Sequence, residues 1–247
     1  MRENDVAAAS FEVIGAKRAR RLSASVSRAV LDPAGIGGVL VAVVVWYAAS
    51  SAMGARLPPP HEVIDNAFSN LFSSEHLPGI GLPRGGYMPH LLFTAYNVLL
   101  GGGIGAVVGV AAGLASSESR IVADVLDPIV SLLGTIPIVI LAPFFLMWFG
   151  LSSAPQVALV AIYTATVLYL FALRGTKNMS PSFMDYAATL GSSATQRFLW
   201  VRFPGVLPEI FGGLRIAFSA AWGLSAVTEM LGGRFGAGRV LVALRSV

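Results

Sequence analysis

Five long apolar segments, separated by short polar ones, constrain this chain more than any other feature. They cover residues 36–53, 90–115, 121–149, 154–173 and 205–231. About 20 residues of helix cross the hydrocarbon layer of a membrane, and the segments have about that length or more. Only 12% of the residues are charged and 55% are hydrophobic, whereas soluble domains carry roughly 25% charged residues. The sequence therefore predicts an all-α membrane protein, a polytopic helical bundle of about five spans.

The third apolar segment carries three prolines, Pro128, Pro137 and Pro143. Proline lacks the backbone donor of a helix and clashes with the preceding turn. Irregular backbone is tolerated in a bilayer only where protein or water surrounds it. We therefore predict that residues 121–149 form a kinked or broken helix packed inside protein.

The distribution of Lys and Arg predicts the orientation. With the N-terminus in the cytoplasm, twelve of the 17 Lys and Arg residues fall on the inner side and five on the outer side, as the positive-inside tendency requires. Residues 1–35 are then a basic cytoplasmic tail, and residues 36–247 form the transmembrane domain. A cleaved signal peptide is the alternative for the N-terminus, but more apolar segments follow it instead of a soluble domain.

Residues 232–247 conflict with this orientation. Five spans leave them on the outer side with three Arg residues, Arg234, Arg239 and Arg245, where positive charge is disfavoured. Two explanations remain open: a sixth span is missing from the chain, or the segment folds back into the bundle.

The polar interval from about residue 175 to 205 is predicted to form two short cytoplasmic helices. Ser180 and Pro181 offer an N-cap and a first-turn proline for the first helix. Apolar residues at helical spacing give this helix one stripe, formed by Phe183, Met184, Ala187 and Leu190.

Gly191 suits the left-handed residue that follows a helix. Ser193 and Gln196 have the spacing of a capping box, and Pro204 is predicted to stop the second helix before the last span. The result is an L-shaped pair of helices with an exposed apolar stripe, which something must cover. Spacing alone leaves open whether the cover is lipid headgroups, as for an interfacial helix, or another protein.

This interval resembles the cytoplasmic EAA loop of ABC importer permeases. The pattern reads Glu-Ala-Ala, three residues, Gly, nine residues, Ile, any residue, Leu, Pro. The corresponding residues here are Asp185, Tyr186, Ala187, Gly191, Val201, Phe203 and Pro204. Asp185 is one methylene shorter than the usual Glu, and Tyr186 replaces a small Ala.

The resemblance extends over residues 57–238. In this range the sequence is similar to the nitrate, sulfonate, taurine and bicarbonate branch of these permeases. The segments that carry it are 57–68, 134–150 and 204–231. Such permeases often have an Arg in the second span, where this chain has Asn97, and they usually have six spans.

The resemblance implies a multi-pass subunit in the bacterial cell membrane, surrounded by lipid. Two copies, a homodimer, would form the translocation pathway for a small solute such as nitrate, sulfonate, taurine or bicarbonate. A separate ATP-binding ABC subunit would hydrolyse ATP, since no G-x-x-x-x-G-K-[ST] motif occurs here, and an extracytoplasmic substrate-binding protein would deliver the solute. The chain is then not an enzyme and has no cofactor. The ATPase-coupling residues that the resemblance implies are Phe183, Met184, Asp185, Ala187, Leu190, Gly191 and Pro204.

Small residues mark one face of the second span. Gly101, Gly105, Gly109 and Gly113 recur every four residues, which favours a close helix contact over a role in the substrate path.

The last span carries the ionisable residues Arg215 and Glu229. Arg215 and Glu229 are fourteen residues apart, about 21 Å along the axis and within roughly 40° around it. Because ionisable groups in a span usually face protein or water, both are candidates for pathway or bundle-locking roles. Arg215 has the alternative of snorkelling to the cytoplasmic surface. We expect Asp124 and Asp127 in the third span to act as pairing or capping groups rather than to contact the substrate.

Other site chemistries have little support. The chain has no Cys, and its histidines, His61, His76 and His90, lack ligand spacing, so no metal site is predicted. The net charge of +4 comes from basic residues beside apolar segments, which suits membrane topology better than nucleic-acid binding. Two other function classes stay open on sequence alone: a secondary transporter or channel independent of ATP, and a truncated scaffold that does not transport.

Overall fold

The computed structural model of this chain describes residues 33–82 and 85–245. The predicted basic tail of residues 1–35 therefore lies outside the described residues, except for its last three. Every regular element in the described ranges is helical, which confirms the all-α prediction. Contacts divide the chain into two units, Met1–Ser69 and Asn70–Val247.

The helices are numbered here in chain order. They are α1 (Pro33–Met53), α2 (Pro60–Ser69), α3 (His76–Gly79), α4 (Met88–Glu118), α5 (Arg120–Thr135), α6 (Ala142–Phe149), α7 (Ala154–Asn178), α8 (Pro181–Thr189), α9 (Ala194–Arg197), α10 (Phe203–Gly232) and α11 (Ala237–Arg245). By length and composition, four helical segments of the described chain can cross a membrane, or five if one bent pair is counted as a single span. The prediction of about five spans is confirmed in this sense.

The first unit contains α1 and α2. The α1 helix is apolar on all sides, and only 6% of its most apolar window is buried, as expected for a helix whose surroundings are lipid. Two aromatic residues near its end hold the following segment: Trp46 Nε1 donates to the Pro58 carbonyl at 3.1 Å, and the Tyr47 ring stacks on His61 at 5.8 Å.

In the second unit, α4 and α7 run parallel and touch through their backbones. Gly101 and Gly113 of α4 face the carbonyl groups of Val157 and Tyr169 in α7, and a Cβ atom at these glycines would lie 2.6 and 2.7 Å from the carbonyl oxygens. Gly105 and Gly109 face α7 in the same way. The predicted close contact along this stripe is confirmed.

The α10 helix packs against the same pair and runs antiparallel to α7. Gly175 of α7 faces Val206, near the start of α10, and Gly213, further along α10, faces Leu168. Two apolar clusters lie between the three helices. One includes Val98, Leu159, Val160, Ala221 and Leu224, and the other Leu114, Leu168, Ala172, Val206 and Ile210.

The third span is broken, as its prolines predicted. The α5 helix ends at Thr135, and the chain resumes with a 3-10 turn (Ile138–Leu141) that leads into α6, with a bend of 90° between the two halves. Pro137 lies at the break, whereas Pro128 stays inside α5. The prediction that this span is packed inside protein is wrong for α5 within the described chain, because none of its residues is buried. This subunit covers its apolar face only in part, since Val122, Leu126 and Val130 are half-buried.

The prediction that Pro204 stops a helix is also wrong. Helical structure continues from Ala194 to Gly232, through a π turn at Phe198–Arg202 that connects α9 to α10. In the π turn the Phe203 N–H bonds to the Phe198 carbonyl. Pro204 then falls in the first turn of α10, where a missing N–H is tolerated.

Residues after α10 fold back onto the second unit. The α11 helix contacts α10 and α4, and its residues Val240 and Ala243 form a small core with Leu77 of α3 and Leu82 just after that helix. Of the two explanations for residues 232–247, the described part therefore supports a segment that folds back.

Candidate functional site

The interval between α7 and α10 has the local structure that its sequence predicted. Pro181 begins α8, and Gly191 follows it in the left-handed region with a φ of 75°. The N–H groups of Gly191 and Ser192 bond to the carbonyls of Ala188 and Ala187 at 3.0 and 3.2 Å, which is the pairing of a Schellman motif. The end of the first helix is therefore sharply defined.

The second helix starts with the predicted capping box. The Ser193 hydroxyl accepts from the Gln196 N–H at 3.3 Å, and the Gln196 side chain accepts from the Ser193 N–H at 2.8 Å. Arg197 adds a hydrogen bond from Nη1 to the Ser192 carbonyl at 2.8 Å. These contacts fix the elbow between the two helices without help from any other part of the chain.

The predicted apolar stripe on α8 is only partly exposed. Leu190 and Phe183 are 86% and 60% exposed, whereas Met184 and Ala187 are half-buried. The polar Asp185 is also exposed, and Tyr186, which was not placed in the stripe, is 71% exposed. The surface offered by this segment is thus centred on Phe183, Tyr186 and Leu190, and we call it the loop patch. The assignment of Phe183, Met184, Asp185, Ala187, Leu190, Gly191 and Pro204 to ATPase coupling stays a prediction.

One ion pair joins this segment to the second span. Arg202, in the π turn, pairs through Nη1 with Glu118 at the end of α4. The arginine side chain is 19% exposed and the glutamate 46%, so the pair lies at the rim of the unit. It links the segment to a helix that is 84 residues away in the chain.

Glu229 lies in a fully buried polar cluster at the other end of α10. Its carboxylate oxygens are both 2.9 Å from the Thr94 hydroxyl, and the Ser225 hydroxyl donates to Oε1 at 3.2 Å. The Gly238 N–H donates to Oε2 at 3.0 Å. Every oxygen of this carboxylate therefore has donors, although the residue is 0% exposed.

The same cluster holds the segment that leads into α11. Three successive N–H groups are satisfied by three side chains: Gly236 donates to His90 Nδ1 at 3.2 Å, Ala237 to Thr94 Oγ1 at 2.9 Å, and Gly238 to Glu229. A Cβ atom at Gly236 or Gly238 would collide with Glu229 or with the Ala226 backbone. Glu229 thus sits where a negative group is favourable, at the N-terminus of a helix.

A match to a known family covers more than half of the chain. Residues 105–246 match the family described as the binding-protein-dependent transport system inner membrane component. The chain belongs to this family. It is a permease subunit of an ABC importer, located in the inner membrane, and the resemblance found in its sequence is confirmed.

Two relatives have names that specify their solutes. The permease is 28% identical to the taurine transport system permease protein TauC of Escherichia coli (strain K12) over 82% of its length and 73% of that protein. It is 30% identical to the putative aliphatic sulfonates transport permease protein SsuC of the same strain, over 82% of its length and 74% of that protein.

A solved structure has the same fold. An amino acid ABC transporter crystallised with histidines covers 65% of the permease and 78% of its own chain, with a TM-score of 0.56 and 20% identity. Identity at this level supports the fold and nothing more specific.

Arg215 and Glu229 of the last span have different surroundings. Glu229 is buried, but Arg215 is exposed and has no ion-pair partner among the described residues. They differ in burial although both lie in the one helix α10, and their common face stays a prediction. Whether either residue belongs to the solute pathway stays a prediction.

Two other intramembrane residues have different surroundings. The Tyr169 hydroxyl donates to Asp127 and is 3.0 Å from Ser116 Oγ, so Asp127 has the pairing role that was predicted. Asn97 is fully buried, and within the described ranges neither of its amide atoms has a hydrogen-bond partner. Within the described ranges, no group of His, Asp and Glu residues is arranged to hold a metal ion.

The partners of Glu229 were not found from the sequence. Thr94 lies 135 residues away, and neither it nor His90 stands out by spacing. The glycines at positions 236 and 238 were the only available signal, since close approach of a backbone to a side chain requires glycine.

Proposed function

We propose that this permease couples ATP hydrolysis in a separate ATP-binding subunit to import of a small solute, through residues 175–205. The loop patch carries this proposal. Leu190 and Phe183 are large, apolar and exposed on a short helix outside the long spans, and an apolar patch of this kind marks a protein or membrane contact. The absence of a phosphate-binding loop in the sequence supports an ATP site on a partner subunit.

The stiffness of the segment supports a mechanical role. The Schellman motif at Gly191 and the capping box at Ser193 hold the elbow, and the Arg202–Glu118 pair joins it to α4. A force applied to the patch would then reach two spans, α10 through the continuous helix and α4 through the ion pair. Closure of two ATP-binding subunits would move these helices as units, as in other switching transitions.

The further partners follow from the transport system to which the family belongs. We propose that two copies of the permease form the pathway, that an extracytoplasmic binding protein delivers the solute, and that the loop patch faces the cytoplasm. The twelve-to-five distribution of Lys and Arg supports this orientation. The names of the taurine and sulfonate relatives support a small solute with an oxyanion group.

Substitution of the patch tests the coupling role. Leu190→Asp is expected to weaken co-purification of the ATP-binding subunit by about thirtyfold, roughly 2 kcal/mol, because a buried apolar anchor contributes this much to an interface. Thermal stability of the permease alone should not change, since Leu190 is exposed. Phe72→Asp is the matched control, because Phe72 is 71% exposed in a different loop of the same unit. Retention of the ATP-binding subunit by Leu190→Asp, or its loss in Phe72→Asp, would refute the proposal.

Uptake by reconstituted vesicles tests the transport role. Vesicles that contain the permease, the ATP-binding subunit and the binding protein should accumulate taurine or an alkanesulfonate only when ATP is present. Uptake without ATP would indicate a secondary transporter or channel. Full assembly without uptake of any oxyanion solute, in the presence of ATP and binding protein, would indicate a scaffold.

A further inference from the structure

The break in the third span leaves irregular backbone at membrane depth. Between Thr135 and Ile138 the chain is not helical, and the two halves of the span diverge by 90°. The last carbonyls of α5 and the first N–H groups after the break have no partners in a continuous helix. In a bilayer such backbone persists only where protein or a water-filled cavity surrounds it. Ile138 and Leu141 pack against the core cluster of this subunit, whereas Ile136 and Val139 stay exposed, so this subunit covers only one side of the break.

Two cavities adjoin the break. The first has a volume of about 380 Å³ and is lined by Gly134, Thr135, Thr166 and Leu170 among others. The second has a volume of about 260 Å³ and is lined by Ala220, Gly223 and Val227 among others. Pro137, Ile138 and Tyr163 line both. The two cavities are therefore neighbours and share a wall formed by the break and by Tyr163 of α7.

The walls of the two cavities are neutral. Hydroxyl groups come from Thr135, Tyr163 and Thr166, and no charged side chain lines either cavity. Thr135 and Thr166 donate to carbonyls of their own helices at 2.8 and 2.9 Å and keep their oxygens as acceptors. The Tyr163 hydroxyl has no hydrogen-bond partner within residues 33–82 and 85–245. It is therefore available to donate to water or to a passing oxyanion.

We infer that the solute path of this permease runs past the break in the third span, with Tyr163 as the gate between the two cavities. The inference rests on the proposed function, since a path requires transport. A small oxyanion meets hydroxyl groups and unpaired backbone there but no fixed charge. The wall therefore allows the solute to pass without tight binding. An anionic solute paired with a buried positive charge would dissociate slowly. Size and hydroxyl contact at Tyr163 would then filter the solute.

Thiol labelling separates a water-filled path from a surface covered by lipid or by a second copy. The chain has no native Cys, so all labelling of the permease comes from the introduced thiol. The single replacements are Thr135→Cys, Tyr163→Cys and Val227→Cys. The matched control is Val107→Cys, on α4, which is 72% exposed and lines neither cavity. The assembled transporter, in vesicles of phosphatidylethanolamine and phosphatidylglycerol, is treated with a cationic methanethiosulfonate, with and without ATP and vanadate.

The three cavity positions should react in at least one of the two states, about tenfold or more faster than Val107→Cys, because the reacting thiolate forms only in water. Reaction at Tyr163→Cys should also block uptake, whereas the same treatment of Val107→Cys should not. Equal or slower labelling of the cavity positions in both states would overturn the inference. If uptake by the untreated parent is normal in that case, the path lies elsewhere and the proposed function stands. If the parent shows no ATP-driven uptake, the proposed function fails whatever the labelling shows.

A conservative variant tests the gate itself. Tyr163→Phe removes only the hydroxyl, and Tyr163→Ala removes the ring. We expect Tyr163→Phe to slow uptake of a sulfonate several-fold and Tyr163→Ala to admit larger alkanesulfonates than the parent does. Tyr96→Phe is the control, because Tyr96 is exposed on α4 and lines neither cavity. An unchanged size limit in Tyr163→Ala, with normal assembly, would exclude Tyr163 as the gate.

Discussion

The contact between α4 and α7 provides a matched pair of substitutions, Gly101→Ala and Gly103→Ala. A Cβ atom at Gly101 would lie 2.6 Å from the Val157 carbonyl oxygen and 3.0 Å from the Val160 Cβ, whereas a Cβ atom at Gly103 has nothing within 4 Å. Both glycines lie inside the same helix. The gain in helix propensity on replacement by Ala, roughly 0.5–1 kcal/mol, is therefore common to the two variants and cancels in their difference.

The difference measures the cost of separating the helices. Ordinary contact begins near 3.4 Å, so Gly101→Ala must move the α7 backbone by about 0.8 Å. A gap of this size forfeits about a quarter to a half of the dispersion energy of each facing atom pair, and overpacking of this kind costs about 1–3 kcal/mol. We expect Gly101→Ala to be less stable than Gly103→Ala by that amount.

Unfolding in detergent by increasing sodium dodecyl sulfate, followed by the fluorescence of the four Trp residues, measures this difference. Melting temperatures give a second reading, and the two variants should differ by about 2–4 °C for each kcal/mol in a chain of this size. Gly103→Ala should be as stable as the parent or more so. Equal stability of the two alanine variants would refute the backbone contact between α4 and α7.

Two further sets of substitutions test the contacts at the two ends of α10. Glu229→Ala should lower the free energy of unfolding by about 2–4 kcal/mol, because at least one buried N–H and one hydroxyl lose their acceptor. Glu229→Gln keeps an acceptor oxygen and should cost less than half as much in the same assay. Equal effects of the two substitutions would contradict the hydrogen-bonded cluster. Arg202→Glu and Glu118→Arg should each cost about 0.2–1 kcal/mol, and the double variant should recover most of the loss in a double-mutant cycle. No recovery would mean that the two residues do not pair in the membrane.

Local signals predicted much of the fold because they depend on residues close in the chain. The helix end at Gly191 and the capping box at Ser193 are decided within six residues. The break near Pro137 follows from one missing donor and one steric clash. The glycine stripe could be recognised because a period of four residues keeps one face of a helix.

The errors arose where distant parts of the molecule decide the outcome. Pro204 was expected to end a helix, but a π turn shifts the hydrogen bonds so that the proline enters a first turn. An ideal helical period places Arg215 and Glu229 within roughly 40° of each other but does not predict their different burial. Glu229 is buried because Thr94 and the backbone near Gly238 surround it, and nothing equivalent surrounds Arg215. These contacts depend on tertiary packing that no local pattern encodes.

The α4 and α10 helices are fastened to each other very differently at their two ends. At one end Glu229, Thr94 and three consecutive N–H groups form a buried, fully hydrogen-bonded cluster. At the other end, the Arg202–Glu118 pair stands at the rim, and nearly half of the glutamate surface is accessible to solvent. The polar contact beside the loop patch is therefore the one that solvent and salt weaken, while the cluster of Leu114, Val206 and Ile210 keeps α4 and α10 packed at that end.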